Sequence, residues 1–238
     1  MTAAQRKLLI PGLILAAAAI LIVWVVFGRA GDEAEDEPAG AGDGVVAEVI
    51  EPTLPETIDA ERREESDPLA IGRIDAPVGI VMFSDFQCPF CALWTDQTLP
   101  ELLPYVEAGD LRIEWRDLAV FGEDSQRGAH AAYAAGLQGA YAEYSGALFA
   151  GGRAPSAQDL AGEALDELAG ELGLDVAAFA ADRVSPEVEA AVAENLEEGV
   201  ELGVFSTPAF LVNGRPIVGA QPTEVFLEAV EGELTAAG

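Results

Sequence analysis

The stretch Val78-Gly79-Ile80-Val81-Met82-Phe83-Ser84-Asp85-Phe86-Gln87-Cys88-Pro89-Phe90-Cys91 decides the fold. Val78 to Phe83 is a short, continuous apolar run ahead of polar residues, the pattern of a strand buried on both faces. A helical pattern starts at Cys88 and runs to about Val106, with Pro100 predicting a kink. The two cysteines therefore stand where a buried strand gives way to a helix. A sulfur at a helix N-terminus faces unpaired backbone N–H groups and the positive end of the dipole, and both favour thiolate over thiol. The two-residue gap brings the second sulfur one turn on, close enough for the pair to open and close as a disulfide. Pro89, at the first helical position, costs no hydrogen bond and stiffens the turn. On this reading Cys88 is the nucleophile and Cys91 the residue that resolves the mixed disulfide.

Three other readings of Cys88 and Cys91 compete with redox chemistry. A purely structural disulfide closing so small a loop stabilises little, because the entropic gain grows with loop length. Half of a zinc site needs two further ligands, and His130, the one histidine, cannot supply both. The third reading is a pair of buried, inert thiols. These are the only two cysteines of the chain, and their spacing on a strand-to-helix turn favours redox chemistry over all three. That chemistry calls for no cofactor and no metal, since the two sulfurs themselves hold the electron pair.

Outward from this centre, strands and helices alternate. Leu111, Ile113 and Trp115 alternate with Arg112, Glu114 and Arg116, which predicts a half-buried strand. From about Ser125 to Leu202 the pattern is helical. One segment opens at Ser156 and carries Leu160, Leu165, Leu168 and Leu172 on one face. Another has Ser185 as N-cap and Pro186 at its first position and runs to Gly203. Ala209–Val212 and Pro216–Val218 flank Asn213-Gly214, a strong hairpin signal, and a last helix spans about Thr223 to Leu234. The plan is α/β with a mixed sheet.

The chain has 238 residues, half of them apolar, so one ordinary domain with appendages is expected. Its 42 acidic and 12 basic residues give a formal net charge of −30. So negative a surface repels phosphate backbones and argues against nucleic acid as a partner. Leu8–Phe27 is uncharged and mostly apolar, roughly 30 Å long as a helix, which matches a bilayer's hydrocarbon core. Arg6 and Lys7 precede it, so residues 1–7 are expected in the cytoplasm and the rest outside. A single-pass anchor is favoured over a cleaved signal, because the run is long and no small-x-small site follows. Residues 28–66 read as an acidic linker and lead-in, within which 31–44 form a flexible tether reaching on the order of 20 Å. Val45 to Ile50 suggests a short strand there, and Thr57 to Glu65 a solvated helix.

Ser84-Asp85-Phe86-Gln87-Cys88-Pro89-Phe90-Cys91, followed much later by Ser206-Thr207-Pro208-Ala209-Phe210-Leu211-Val212-Asn213-Gly214, resembles the DsbA-like thiol-disulfide oxidoreductases of the thioredoxin superfamily. Asp67–Gly72, Asp75–Val78 and Glu114-Trp115-Arg116-Asp117 are also similar, so the resemblance covers roughly residues 66–235. It implies a thioredoxin-like fold over 67–238 with a helical insertion at about 122–203. It further implies a cis Thr207–Pro208 peptide facing the cysteines, with Pro89, Phe90, Thr207 and Pro208 supporting the active site. Two departures stand out. Phe90 replaces the histidine that many strong oxidants of the family carry between the cysteines. Met82 occupies the position, six before the first cysteine, where many relatives have a glutamate that relays a proton to the buried thiol. Asp85 is a substitute candidate for that relay, unless its side chain points to solvent.

Remaining candidates are weaker. His130 lies in an Ala-rich helical stretch and reads as a surface or satisfied histidine. Phe90 and Trp94 are candidates to line an apolar substrate groove, and Trp94 suits a core position equally well. The expected function is an extracytoplasmic, membrane-anchored oxidase that passes the Cys88–Cys91 disulfide to cysteine-containing secreted or envelope proteins. A membrane redox partner then reoxidises it. A reductase or isomerase on the same fold is the alternative, and a non-catalytic polypeptide-binding module is a reading of another class.

Overall fold

The structure, a computed structural model, describes residues 57–237. The expected anchor Leu8–Phe27, the tether and the Val45–Ile50 strand lie outside the described residues. No helix among the described residues is long and apolar enough to cross a membrane.

Five strands form one mixed sheet: β1 (Ala70–Ile71), β2 (Val78–Ser84), β3 (Leu111–Asp117), β4 (Ala209–Val212) and β5 (Arg215–Val218). Their order is β1-β3-β2-β4-β5, with β2 and β3 parallel and every other pair antiparallel. The parallel pair is joined through α1 (Pro89–Gln97) and α2 (Leu99–Ala108), the crossover that parallel strands require. The chain breaks between these helices at Thr98, and Pro100 sits in the first turn of α2. Between β3 and β4 come α3 (Glu123–Gly136), α4 (Tyr141–Leu148), α5 (Gly162–Glu171), α6 (Val176–Asp182) and α7 (Pro186–Glu201). This is the helical insertion that the resemblance implied. After the β4–β5 hairpin, α8 (Thr223–Ala237) packs on β2 and α2. Asn213 and Gly214 both take positive φ, 45° and 79°, the backbone that a two-residue hairpin turn demands.

Alternation along β2 builds two cores. Val78, Ile80 and Met82 join Trp94, Leu102, Phe210 and Phe226 on one face; Val81 and Phe83 join Leu118 and Leu211 on the other. Ser185 caps α7 as its sequence predicts, its hydroxyl accepting from the Val188 N–H at 3.2 Å.

Three expectations need correction. β3 is buried along its whole length rather than on one face. Arg112 and Arg116 lie inside because Glu114 pairs with both, at 2.7 and 2.8 Å, while Arg116 also reaches Glu198 and Asp67. Buried charge persists only when paired and hydrogen-bonded in this way. Residues 57–64 form no helix. They run across the sheet, with Ile58 N–H donating to the Gly214 carbonyl and the Arg62 and Arg63 N–H groups donating to Glu114. The segment after Ser156 starts as a turn, and its helix begins only at Gly162. Ser156 and Asp159 bond each other's side chains and backbone, which closes a local loop instead of opening a helix.

Candidate active site

Cys88 takes the N-cap position of α1 with extended backbone (φ −83°, ψ 115°), and Pro89 is the first helical residue. The chain reaches it from β2 through a turn in which the Cys88 N–H donates to the Asp85 carbonyl at 3.0 Å. The Cys91 and Ala92 N–H groups both donate to the Cys88 carbonyl at 3.2 Å, the first bonds of the helix. One turn of helix thus puts the two free sulfurs side by side. Cys88 and Cys91 are both buried, whereas Phe90 between them is 60% exposed.

The two sulfurs differ electrostatically. A hydrogen bond from Cys91 is the main cause that brings the Cys88 pKa down to about 6. The Thr207 side chain and the backbone N–H groups of Cys91 and Phe90 reinforce it against the cost of burial. Burial pushes the Cys91 thiol far up, and the neighbouring Cys88 adds to that rise. Cys88 is therefore the sulfur that carries negative charge, and Cys91 the one that keeps its proton.

Thr207 and Pro208 face the pair. The Cys88 thiol donates to the Thr207 carbonyl oxygen at 3.3 Å, and the Thr207–Pro208 peptide is cis. The Thr207 hydroxyl, buried and with no other hydrogen-bond partner, lies toward the Cys88 sulfur.

Asp85 does not point to solvent. Its carboxylate is fully buried and accepts from the Gln87 N–H (2.7 Å), the Ser125 hydroxyl (2.5 Å) and the Val120 N–H (2.7 Å). These bonds tie the cysteine loop to the loop after β3 and to α3. A close approach of α3 goes with this, since a side chain at Gly128 would meet Phe86 Cβ at 2.6 Å. Met82 is buried beneath the loop among apolar residues. Trp94 belongs to the core, its ring 4.9 Å from Phe210 and 5.6 Å from Phe226. His130 is half-buried on α3, with burial holding its pKa below the usual value against the opposing charge of Glu189. Among the described residues, no three His, Cys, Asp or Glu side chains gather in a metal-ligating arrangement.

Several groups at the site escaped the sequence reading. Val120 and Phe121 are exposed on the loop that Asp85 holds, and Phe205, 92% exposed, stands two residues before Thr207. With Phe90 they give an apolar rim on segments tied to the cysteines. Beside it, a groove of about 310 Å³ is lined by Phe83, Val204, Phe205, Phe210, Leu211 and Ile217. The buried acid Asp117 and its partner Tyr141 were also missed. The alternation of Leu111, Ile113 and Trp115 carries on to Asp117, which was the available signal.

Comparison with known proteins agrees with this geometry. The thioredoxin family's profile matches residues 64–232. The chain is 31% identical over 214 residues to a Na(+)/H(+) antiporter NhaA 1 of Salinispora arenicola, covering 89% of this chain and 30% of that protein. It thus spans about 30% of the length of the antiporter relatives that it matches. It is 28% identical over 150 residues to the probable disulfide bond formation protein D of Bacillus anthracis, covering 61% of this chain and 69% of that one. In fold it resembles the crystal structure of oxidised BdbD from Bacillus subtilis, with a TM-score of 0.64 at 20% identity, over 71% of this chain and 94% of that one. With a cysteine pair at a strand-to-helix turn facing a cis proline, and with the family's profile matching most of its length, the chain belongs to the thioredoxin family.

Proposed function

We propose that the chain is an extracytoplasmic thiol-disulfide oxidase, held to the membrane by Leu8–Phe27. It passes the Cys88–Cys91 disulfide to cysteine-containing secreted or envelope proteins and is reoxidised by a membrane redox partner. The observation that carries this reading is the asymmetry of the two sulfurs. A substrate thiolate attacks Cys88 Sγ, the Cys88–Cys91 bond breaks, and its electron pair goes to Cys91. A second substrate thiolate then attacks the substrate sulfur of the mixed disulfide and expels Cys88. Cys88, with a pKa near 6, leaves readily as thiolate, which drives disulfide transfer toward the substrate. The Cys91 and Thr207 side chains and the helix N–H groups supply here the stabilisation that Phe90 cannot give. Placement outside the cytoplasm draws support from the basic Arg6-Lys7 flank of the apolar run and from the persistence of disulfides in oxidising compartments.

The deciding experiment is the reduction potential of the pair, measured on the full chain in detergent micelles poised with thiol redox buffers and read by alkylation. A value of about −120 to −180 mV supports the oxidase. A value near about −270 mV overturns it in favour of a reductase. Cys91→Ser is expected to trap substrates as mixed disulfides on Cys88. Cys88→Ser is expected to trap none, and substrate capture that survives Cys88→Ser identifies a binding module instead.

A further inference from the structure

A cleft of about 560 Å³ opens between α4 and α5. Ala147, Leu148, Ala154, Pro155, Ala164 and Leu168 give it apolar walls, and Arg153, Ser156 and Asp159 supply its polar groups. The loop that closes it, 149–156, is fastened to the cysteine loop and to α1. Phe149 stacks on Phe86 with ring centroids 4.9 Å apart, and the side chain of Gln87, the residue before Cys88, donates to the Pro155 carbonyl at 2.9 Å. Gly151 and Gly152 take positive φ, 72° and 66°, and turn the loop onto α1. There the Gly151 N–H donates to the Asp96 carboxylate at 3.1 Å, and a Cβ at Gly152 would stand 3.6 Å from Leu93 Cδ1. Leu93 is exposed, and so is Phe90, three positions earlier on the same face of α1. An apolar stripe thus runs from Phe90, between the two cysteines, to the turn that carries Arg153.

Arg153 is exposed and differs from the other arginines. Arg62, Arg63, Arg73, Arg112, Arg116, Arg127, Arg183 and Arg215 each contact a carboxylate. Arg153 alone among the described arginines contacts none, in a chain with 42 acidic and 12 basic residues. The acids beside its turn are engaged elsewhere. Asp96 accepts from Gly151, and Asp159 accepts from the Ser156 N–H and hydroxyl at 2.8 and 2.7 Å. Those two bonds hold the Asp159 carboxyl below the usual range, with Arg153 adding to the effect from a distance. An exposed arginine without a partner contributes little to the fold, whereas its planar fork suits a carboxylate brought to it.

We propose that Arg153 is a specificity-determining residue, receiving a carboxylate of the substrate polypeptide while that polypeptide's cysteine meets Cys88 and its apolar residues lie on Phe90 and Leu93. The inference rests on the thiol-disulfide reading above and names a substrate class for it: polypeptides with an aspartate or glutamate at a set distance along the chain from the reacting cysteine. Charge complementarity carries it. The surface at large, in a chain of net charge −30, repels a carboxylate, so an acidic side chain is received at one register and penalised at the others. The exchange itself is unchanged: two substrate thiols become a disulfide, and the Cys88–Cys91 disulfide becomes two thiols. Arg153 alters only how well the attacking thiolate is held at Cys88.

The test uses unstructured peptides that carry a cysteine pair and a single glutamate moved stepwise away from it on either side. Each peptide has a twin in which glutamine replaces the glutamate. The second-order rate constant for reduction of the Cys88–Cys91 disulfide is measured on the full chain in detergent micelles and expressed as a ratio for each twin pair. At one spacing the glutamate peptide is expected to react about 3–5-fold faster than its twin, the size of one exposed ion pair, and at the others to react more slowly. Added salt is expected to shrink the gap. Arg153→Lys should keep part of it, Arg153→Gln should remove it, and Arg153→Glu should reverse it. A wild-type ratio at or below one at every spacing overturns the proposal, as does a gap that survives in Arg153→Gln. A disulfide that dithiothreitol reduces and no peptide does sinks the inference alone, whereas one that neither reduces sinks the oxidoreductase reading as well.

Discussion

The Cys88 sulfur and the carbonyl oxygen of Thr207 meet at 3.3 Å although 119 positions of chain separate them. As a thiol, Cys88 donates to that carbonyl; as a thiolate it has no hydrogen to give and faces the oxygen's negative end. The low Cys88 pKa therefore rests on the other contacts, above all on Cys91.

Cys91→Ala is expected to raise the midpoint of the Cys88 thiolate's ultraviolet titration by roughly one unit or more above the wild-type value near 6. The same shift makes stability depend on pH. The folded Cys88 pKa lies below its unfolded value of about 8.5, so the thiolate's stabilisation is complete above that value. It declines as pH falls and is lost on passing below about 6. Thermal melts should show the reduced protein gaining on the disulfide form between pH 5 and pH 8. A gap that shrinks over that range would contradict the thiolate's role.

Arg116 has no exposed surface and contacts Glu114, Asp67 and Glu198. Arg116→Met strips the buried Glu114 of one of its two cations, leaves its charge to Arg112 and the backbone N–H groups of Arg62 and Arg63, and removes the cation beside Asp67. The expected cost is about 3–5 kcal/mol, or a fall of about 10 °C or more in the melting temperature. Thiol chemistry at Cys88 should survive below the melt, which separates this framework role from the site.

What could be read from the sequence, and what could not, follows from the range of the interactions. The strand-to-helix turn at Ser84–Cys91 and the Asn213-Gly214 hairpin are local events, decided by residues within one turn of each other, and both were legible. The inward burial of Arg112, Glu114 and Arg116 was not. Alternating charge reads as a solvent face until Arg62, Arg63, Asp67 and Glu198 are brought over it from distant parts of the chain. Asp117 was hidden for a related reason: only the parallel register of β2 with β3 sets it beside Ser84.

Asp85→Asn should destabilise the fold by about 2 kcal/mol. An amide group replaces a carboxylate oxygen and turns its own N–H toward the Val120 N–H, leaving both donors unpaired. Since Asp85 holds loops together, the Cys88 thiolate of this variant is expected to titrate near the wild-type value of about 6 below the melt. A large shift of that titration would place Asp85 in the thiol chemistry rather than in the framework of the loops.

Phe205 is 92% exposed, beside the groove next to Thr207, and so contributes little to the fold. A large aromatic left in water close to a reactive sulfur has a use when a partner covers it. An unfolded polypeptide presenting a cysteine with apolar neighbours can bury part of that ring while its sulfur meets Cys88. Dithiothreitol is too small to do both. Phe205→Ala should therefore leave the melting temperature almost unchanged and lower kcat/KM toward a reduced, unfolded protein by about 5–10-fold, the loss of one partly covered aromatic contact. Reduction by dithiothreitol should proceed at the wild-type rate. Equal losses with both reagents would mean that Phe205 positions the cysteine loop rather than the substrate.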